Sequence, residues 1–179
     1  MNFLINFKEV SIRVSMTLFF LVLSFKIIAQ QPILRPKIQD IVTKLKGENT
    51  VHFGYPVGES GRRETDNKYY KLYSKLKRKA TNDELVSLLK DTSECIVVYA
   101  FDILAKREYT EIKTIFLQHQ NDTTWFWIAG GCTGMGNQMN WFMLSKLKPK
   151  EQGNNFLTEE EYQSFCDKYR QEDEYFTCY

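Results

Sequence analysis

The sequence predicts an all-α domain of five to seven helices in a short, irregular bundle. An α+β alternative places a small strand pair near residues 125–145. Three observations carry this reading. Residues 81–119 read as two amphipathic helices joined by a tight turn, with a third helix following. Two S/T-x-x-E capping boxes, Thr81 with Glu84 and Thr158 with Glu161, each open an apolar-periodic run. Apolar residues make up 43% of the 179 and aromatics 15%, enough for one core built partly from Phe, Tyr and Trp.

Residues 1–29 have the pattern of an export signal. Lys8 and Arg13 form a basic start, residues 14–25 an apolar run, and Ala29 a small residue at the cleavage point before Gln30. The apolar run is shorter than the ~20 residues that span a bilayer, which favours a cleaved signal over an uncleaved anchor. Residues 30–63 are a lead-in. Ile38, Ile41, Val42 and Leu45 mark a short helix, and Gly54, Pro56, Gly58 and Gly61 mark a loop, with an extended piece near residues 50–55. Residues 64–179 form the helical domain. Tyr69, Leu72, Tyr73 and Leu76 give its first helix an apolar face opposite a solvated face of Lys68, Lys71, Lys75 and Lys79. Asp91 or Ser93 caps the next helix but one, which is apolar nearly all round, and Lys106 and Arg107 suit its negative end. A third helix starts near Thr110. Residues 125–128 are a buried helical turn or a strand, and residues 130–137 a flexible glycine-rich segment. A final helix after Thr158 aligns Tyr162, Phe165, Cys166 and Tyr169.

Without residues 1–29 the chain keeps 21 basic and 21 acidic side chains. That balance argues against a general electrostatic grip on nucleic acid or an anionic membrane. Membrane contact is expected only through an uncleaved signal segment. All four cysteines, Cys95, Cys132, Cys166 and Cys178, survive cleavage, which in an exported chain suggests disulfides with three connectivities open. Cys166 and Cys178 are close in sequence, and a bridge between them would pin the tail and leave Cys95 and Cys132 to tie the central helix pair to the glycine segment, though spacing alone does not fix the pairing.

Reaction chemistry is poorly represented. Gly130-Gly131-Cys132-Thr133-Gly134 matches the cysteine form of a nucleophile elbow, but both histidines, His52 and His119, lie upstream of it and the surroundings are helical. No phosphate loop, zinc spacing or calcium loop occurs, so no cofactor or metal is expected.

Residues 88–104 resemble a HEAT-type helical repeat. Leu88-Leu89-Lys90-Asp91 matches its first-helix end and turn, and Ile96-Val97, Tyr99-Ala100 and Ile103-Leu104 match its second helix. Val97 stands where the repeat carries Arg. A wider pattern uses Ala80-Thr81 with Glu84-Leu85, residues 97–107, Gln118-His119 with Asp122-Thr123, and Gly131-Cys132. It is similar to uncharacterised exported HEAT-like helical repeat proteins of Bacteroidetes-type bacteria. The resemblance implies a helical-repeat fold and no assigned activity. It also implies a Cys95–Cys132 contact, since Cys95 lies one turn before the position where that group carries Cys.

The expected function is a non-catalytic periplasmic or extracellular module that presents a helical surface to a protein or peptide partner. The alternatives are an enzyme with a pocket centred on Cys132 or His119, and a structural accessory domain of the cell envelope. Mass spectrometry of the exported protein should find Gln30 as its first residue. A chain that pellets with membranes and still begins at Met1 would establish an anchor instead.

Overall fold

The computed structural model describes residues 34–57, 62–63, 65–131, 134–150, 156–174 and 176–178; the expected signal segment and Cys132 lie outside them. Among the described residues there are seven helices: α1 (Pro36–Leu45), α2 (Lys68–Lys79), α3 (Asn82–Leu88), α4 (Glu94–Lys106), α5 (Ile112–His119), α6 (Met139–Lys146) and α7 (Glu159–Glu172). Five short strands accompany them: β1 (Thr50–Val51), β2 (Pro56–Val57), β3 (Arg62–Arg63), β4 (Trp125–Ile128) and β5 (Met135–Gln138). The fold is thus mostly helical with a small strand group, consistent with the predicted bundle and with its α+β alternative. None of the described helices is long and apolar enough to cross a membrane.

The core is organised on α4. Ten consecutive residues, Cys95 through Leu104, are buried, as an apolar girdle all round a helix requires. The helix packs against α1, α3, α5, α6, β1 and β4. Its end is a Schellman turn: Tyr109 N–H donates to Leu104 O at 3.1 Å and Glu108 N–H to Ala105 O at 3.1 Å. Glu108 takes the left-handed conformation there, at φ 53°, where glycine is the usual residue.

Local chemistry starts each neighbouring helix. Pro36 opens α1, where a missing N–H costs nothing. Asn67 caps α2, its side-chain oxygen accepting from Tyr69 N–H at 2.7 Å. Both predicted capping boxes form, Thr81 with Glu84 on α3 and Thr158 with Glu161 on α7. Ser93 occupies the N-cap position of α4 without a side-chain cap bond, while Asp91 Oδ1 accepts from Ser93 N–H at 2.9 Å. The junction of α2 and α3 is clamped twice. Arg107 donates to Lys77 O and Ala80 O at 2.6 and 2.9 Å, so it serves the end of α2 rather than that of its own helix. Arg35 binds both oxygens of Glu84 at 2.8 Å and Lys79 O at 2.6 Å.

The sheet has order β1–β4–β5. β1 runs parallel to β4, with Val51 opposite Ile128, and β5 runs antiparallel to it, with Trp127 opposite Gly136. The aromatic run at 125–128 is therefore a strand. Phe126 and Ile128 turn inward, Trp125 and Trp127 outward. The expected flexible segment at 130–137 needs correction, because residues 135–137 belong to β5. Gly136 permits this. A Cβ there would stand 3.1 Å from the Trp125 ring, so only glycine lets the indole lie across β5 without shifting it. The lead-in shares the core through β1 and through α1, which packs on α2.

The hydrogen bond from Arg35, with the capping-box N–H bond from Thr81 beside it, lowers the Glu84 carboxyl to about 2 despite burial pushing the other way. A depressed folded value stabilises the protein above the unfolded value near 4.5 and is lost as pH falls toward 2. Arg35 stands largely in solvent, so the contribution is on the order of 1–2 kcal/mol. Urea melts between pH 2 and 7 should show Glu84→Gln flattening the acid limb of stability. An unchanged limb would remove Glu84 from that role.

Candidate functional site

The sequence-predicted site residues separate into three places. Cys166 and Cys178 form a disulfide, Cα atoms 5.7 Å apart and 12 residues apart in sequence. Cys95 is a buried free thiol on α4. Burial, with Glu94 and Glu48 adding, pushes it up to about 11, so it is protonated and inert near neutral pH. Its expected partner Cys132, the centre of the alternative catalytic pocket, lies outside the described residues.

His119 ends α5 and faces Asp122, Nδ1 to Oδ2 3.3 Å. Both line a cavity of about 210 Å³ with Asp91, Thr92, Glu94 and Thr124. Burial raises the Asp122 carboxyl, but hydrogen bonds from Thr124 and the neighbouring His119 outweigh it and hold the group below its usual range. A carboxylate on Nδ1 orients an imidazole as a general base requires. Among the described residues, however, no hydroxyl or thiol is hydrogen-bonded to this histidine. Asp91 is already engaged by Lys46 at 2.8 Å. No three His, Cys, Asp or Glu among the described residues gather as metal ligands.

A charged cluster at the centre of the fold escaped the sequence reading. Asp102, on α4, is 0% exposed. Its Oδ2 accepts from the Tyr73 hydroxyl of α2 at 2.5 Å and from Lys106 Nζ at 2.8 Å. Lys146 Nζ, from the end of α6, stands 3.3 Å from Oδ1. That last contact is an ion pair by distance but lacks hydrogen-bond alignment, so Oδ1 accepts no hydrogen bond among the described residues. Both ammonium groups lie over the Phe53 ring, at 5.4 and 5.3 Å from its centre. Burial and the Asp102 charge raise the Tyr73 hydroxyl far above its usual range, which keeps it a donor. The i, i+4 spacing of Asp102 and Lys106 was the sequence signal; the other partners were too distant to read.

The most accessible chemistry is aromatic. Trp125 and Trp127 are 57% and 58% exposed and project from the same face of β4. The benzo rings of both indoles converge on Gly136 across the strand pair. Trp125 meets Trp141 of α6 edge-on at 5.8 Å, and Trp141 meets Phe176 at 5.2 Å. Beside β5 a crevice of about 160 Å³ lies between the strand, α6, α7 and residues 176–178. Such an arrangement binds by burying flat apolar surface next to a few neutral donors and acceptors. Sequence reasoning noticed the dense aromatics here without finding their exposure.

Comparison with protein-family models, curated proteins and solved structures found no match.

Asp102→Ala should leave the buried Tyr73 hydroxyl and two partly exposed ammonium groups without their carboxylate and cost about 2–3 kcal/mol in denaturant unfolding. A loss under 1 kcal/mol would mean that Lys106 and Lys146 find water without Asp102.

Proposed function

We propose that this chain is an exported, non-catalytic binding module that docks a protein or peptide partner on the aromatic face of its small sheet. The observation that carries the reading is the pair of exposed indoles, Trp125 and Trp127, side by side on one face. Single exposed apolar residues are ordinary, but a contiguous apolar patch marks an interaction site, and Trp dominates such interfaces. The surface thus differs from the helical one expected from the sequence, while the class of partner is the same. Export to the periplasm or beyond is supported by the N-terminal pattern and by the Cys166–Cys178 bridge, since disulfides persist in oxidising compartments. We further propose kinship with the HEAT-like group, on the residues of its sequence pattern; a helical pair packed across the Asp91 turn is compatible with it.

The test is retention of an envelope-fraction partner by the immobilised full chain. Trp125→Ala/Trp127→Ala should weaken retention at least about tenfold while changing stability by less than about 1 kcal/mol, as expected for exposed side chains. A partner held equally by the double variant would place binding elsewhere.

A further inference from the structure

We propose that β5 is a docking edge: an extended, uncharged stretch of a partner polypeptide adds to it as a further strand and lodges one side chain of about phenyl size in the neighbouring crevice. This rests on the reading that the aromatic face binds a protein or peptide.

The strand order leaves β5 at the edge of its sheet. Main-chain bonding settles which groups face outward. Met139 N–H donates to Thr124 O at 3.0 Å, one register step beyond the Trp125 and Gln138 pair. Bonded and non-bonded pairs alternate along an antiparallel ladder. Met135 and Asn137 therefore turn their main-chain groups toward β4, and Gly136 turns its N–H and C=O to the open edge. The other side of β4 agrees. Ala129 N–H donates to Val51 O at 2.8 Å, so alternate residues of that segment face β1 and those between face β5. Gly136 is exposed and lines the crevice.

Size and charge select the occupant. The crevice, about 160 Å³, is smaller than the ~300 Å³ at which small-molecule sites begin. It is close to the ~150 Å³ cavity that takes a benzene. That is room for one group of about phenyl size and too little for a larger free ligand. Among the described residues no charged one lines it, in a chain that is 26% charged. A charged side chain entering it would shed water and meet no counter-ion. Trp141, Phe176 and Tyr162 instead offer aromatic surface, and Asn137, Ser145 and Thr177 neutral polar atoms. Gly136 has no side chain to hold an incoming backbone away. Strand addition gives affinity through main-chain bonds and specificity through such side-chain pockets. A partner residue set opposite Gly136 falls on the face of Trp125 and Trp127, so the added strand widens that face.

Capped heptapeptides of alternating Thr and Val, with a central Phe, Leu, Lys or Glu, test this against the full exported chain. Tryptophan fluorescence measures affinity, and hydrogen exchange is followed at the Gly136 amide. The Phe and Leu peptides should bind, the Lys and Glu peptides at least about tenfold more weakly. Exchange at Gly136 should slow on binding. N-methylation of the peptide backbone on its pairing edge should weaken binding at least about tenfold, the loss expected from two hydrogen bonds. Absence of peptide binding overturns the proposal. So do equal binding of the N-methylated peptide, equal binding of the charged peptides, unchanged exchange at Gly136, or binding of neutral cellohexaose alone. If the Trp125/Trp127 variant loses its envelope partner while N-methylation has no effect, the docking face stands and strand addition falls.

Discussion

Asp102 is the charge around which the helices must settle. A fully buried carboxylate is tolerated only where opposite charge and donors meet it. Here Tyr73 of α2 and Lys106, one turn on along α4, donate to it, and Lys146 of α6 adds a second opposite charge. Sliding α2 or α6 along α4 would pull one of them away and expose the cost of the bare charge. Phe53 closes the arrangement, with both ammonium groups over its ring and Phe142 stacked in parallel at 5.9 Å. A buried ion cluster need not add net stability over an apolar core. Its effect here is to favour one mutual arrangement of three helices that apolar packing alone would leave freer.

From that arrangement the small sheet follows. Phe53 and Val51 belong to the lead-in, and placing Phe53 against Tyr73 and Tyr99 holds β1 beside α4. His52 N–H donates to the Tyr99 hydroxyl at 2.6 Å and secures the same segment. β1 then supplies one edge of β4, and β5 the other. Phe126 contacts Phe142 edge-on at 5.4 Å, so the inward face of β4 is set by the helix that also carries Lys146. With Phe126 and Ile128 held inward, Trp125 and Trp127 are forced outward by the alternation of a strand. Their exposure is thus a consequence of the core, not of a mobile loop.

Much of this was legible locally. The capping boxes, the all-round apolar α4, the Asp91 turn and the pairing of Cys166 with Cys178 all depend on residues close in sequence, and each has the expected form. The strands were ambiguous for a physical reason. The run Trp125-Phe126-Trp127-Ile128 is apolar at both parities, so no polar residue marks the outward face. Its parallel partner, Thr50-Val51, falls in the piece near residues 50–55 that reads as extended, but it lies far upstream and nothing local pairs the two. Gly136 read as loop because nothing local shows that two indoles need the space above it. The Asp102 cluster was hidden for the same reason: Tyr73 is 29 residues away, and Lys146 sits at the end of a separate helix.

The disulfide ties this surface to the compartment the chain works in. Cys178 is anchored to α7, and with it Phe176 is held against Trp141 and Tyr169, at 5.2 and 5.5 Å. Residues 176–178 form one wall of the crevice beside β5. Chain ends fray unless tied, and the bridge ties residues 176–178 to α7. Closing a loop of this length restricts the unfolded chain by about 3 kcal/mol in the entropic account. With the bridge formed the wall is in place, so under the proposed docking its ordering cost is not charged to binding. In a reducing compartment the tail would have to be ordered by the partner itself. Under the proposed docking, the bridge's role is to pre-organise the aromatic groove, which the core of the bundle, already closed around α4, does not need from it.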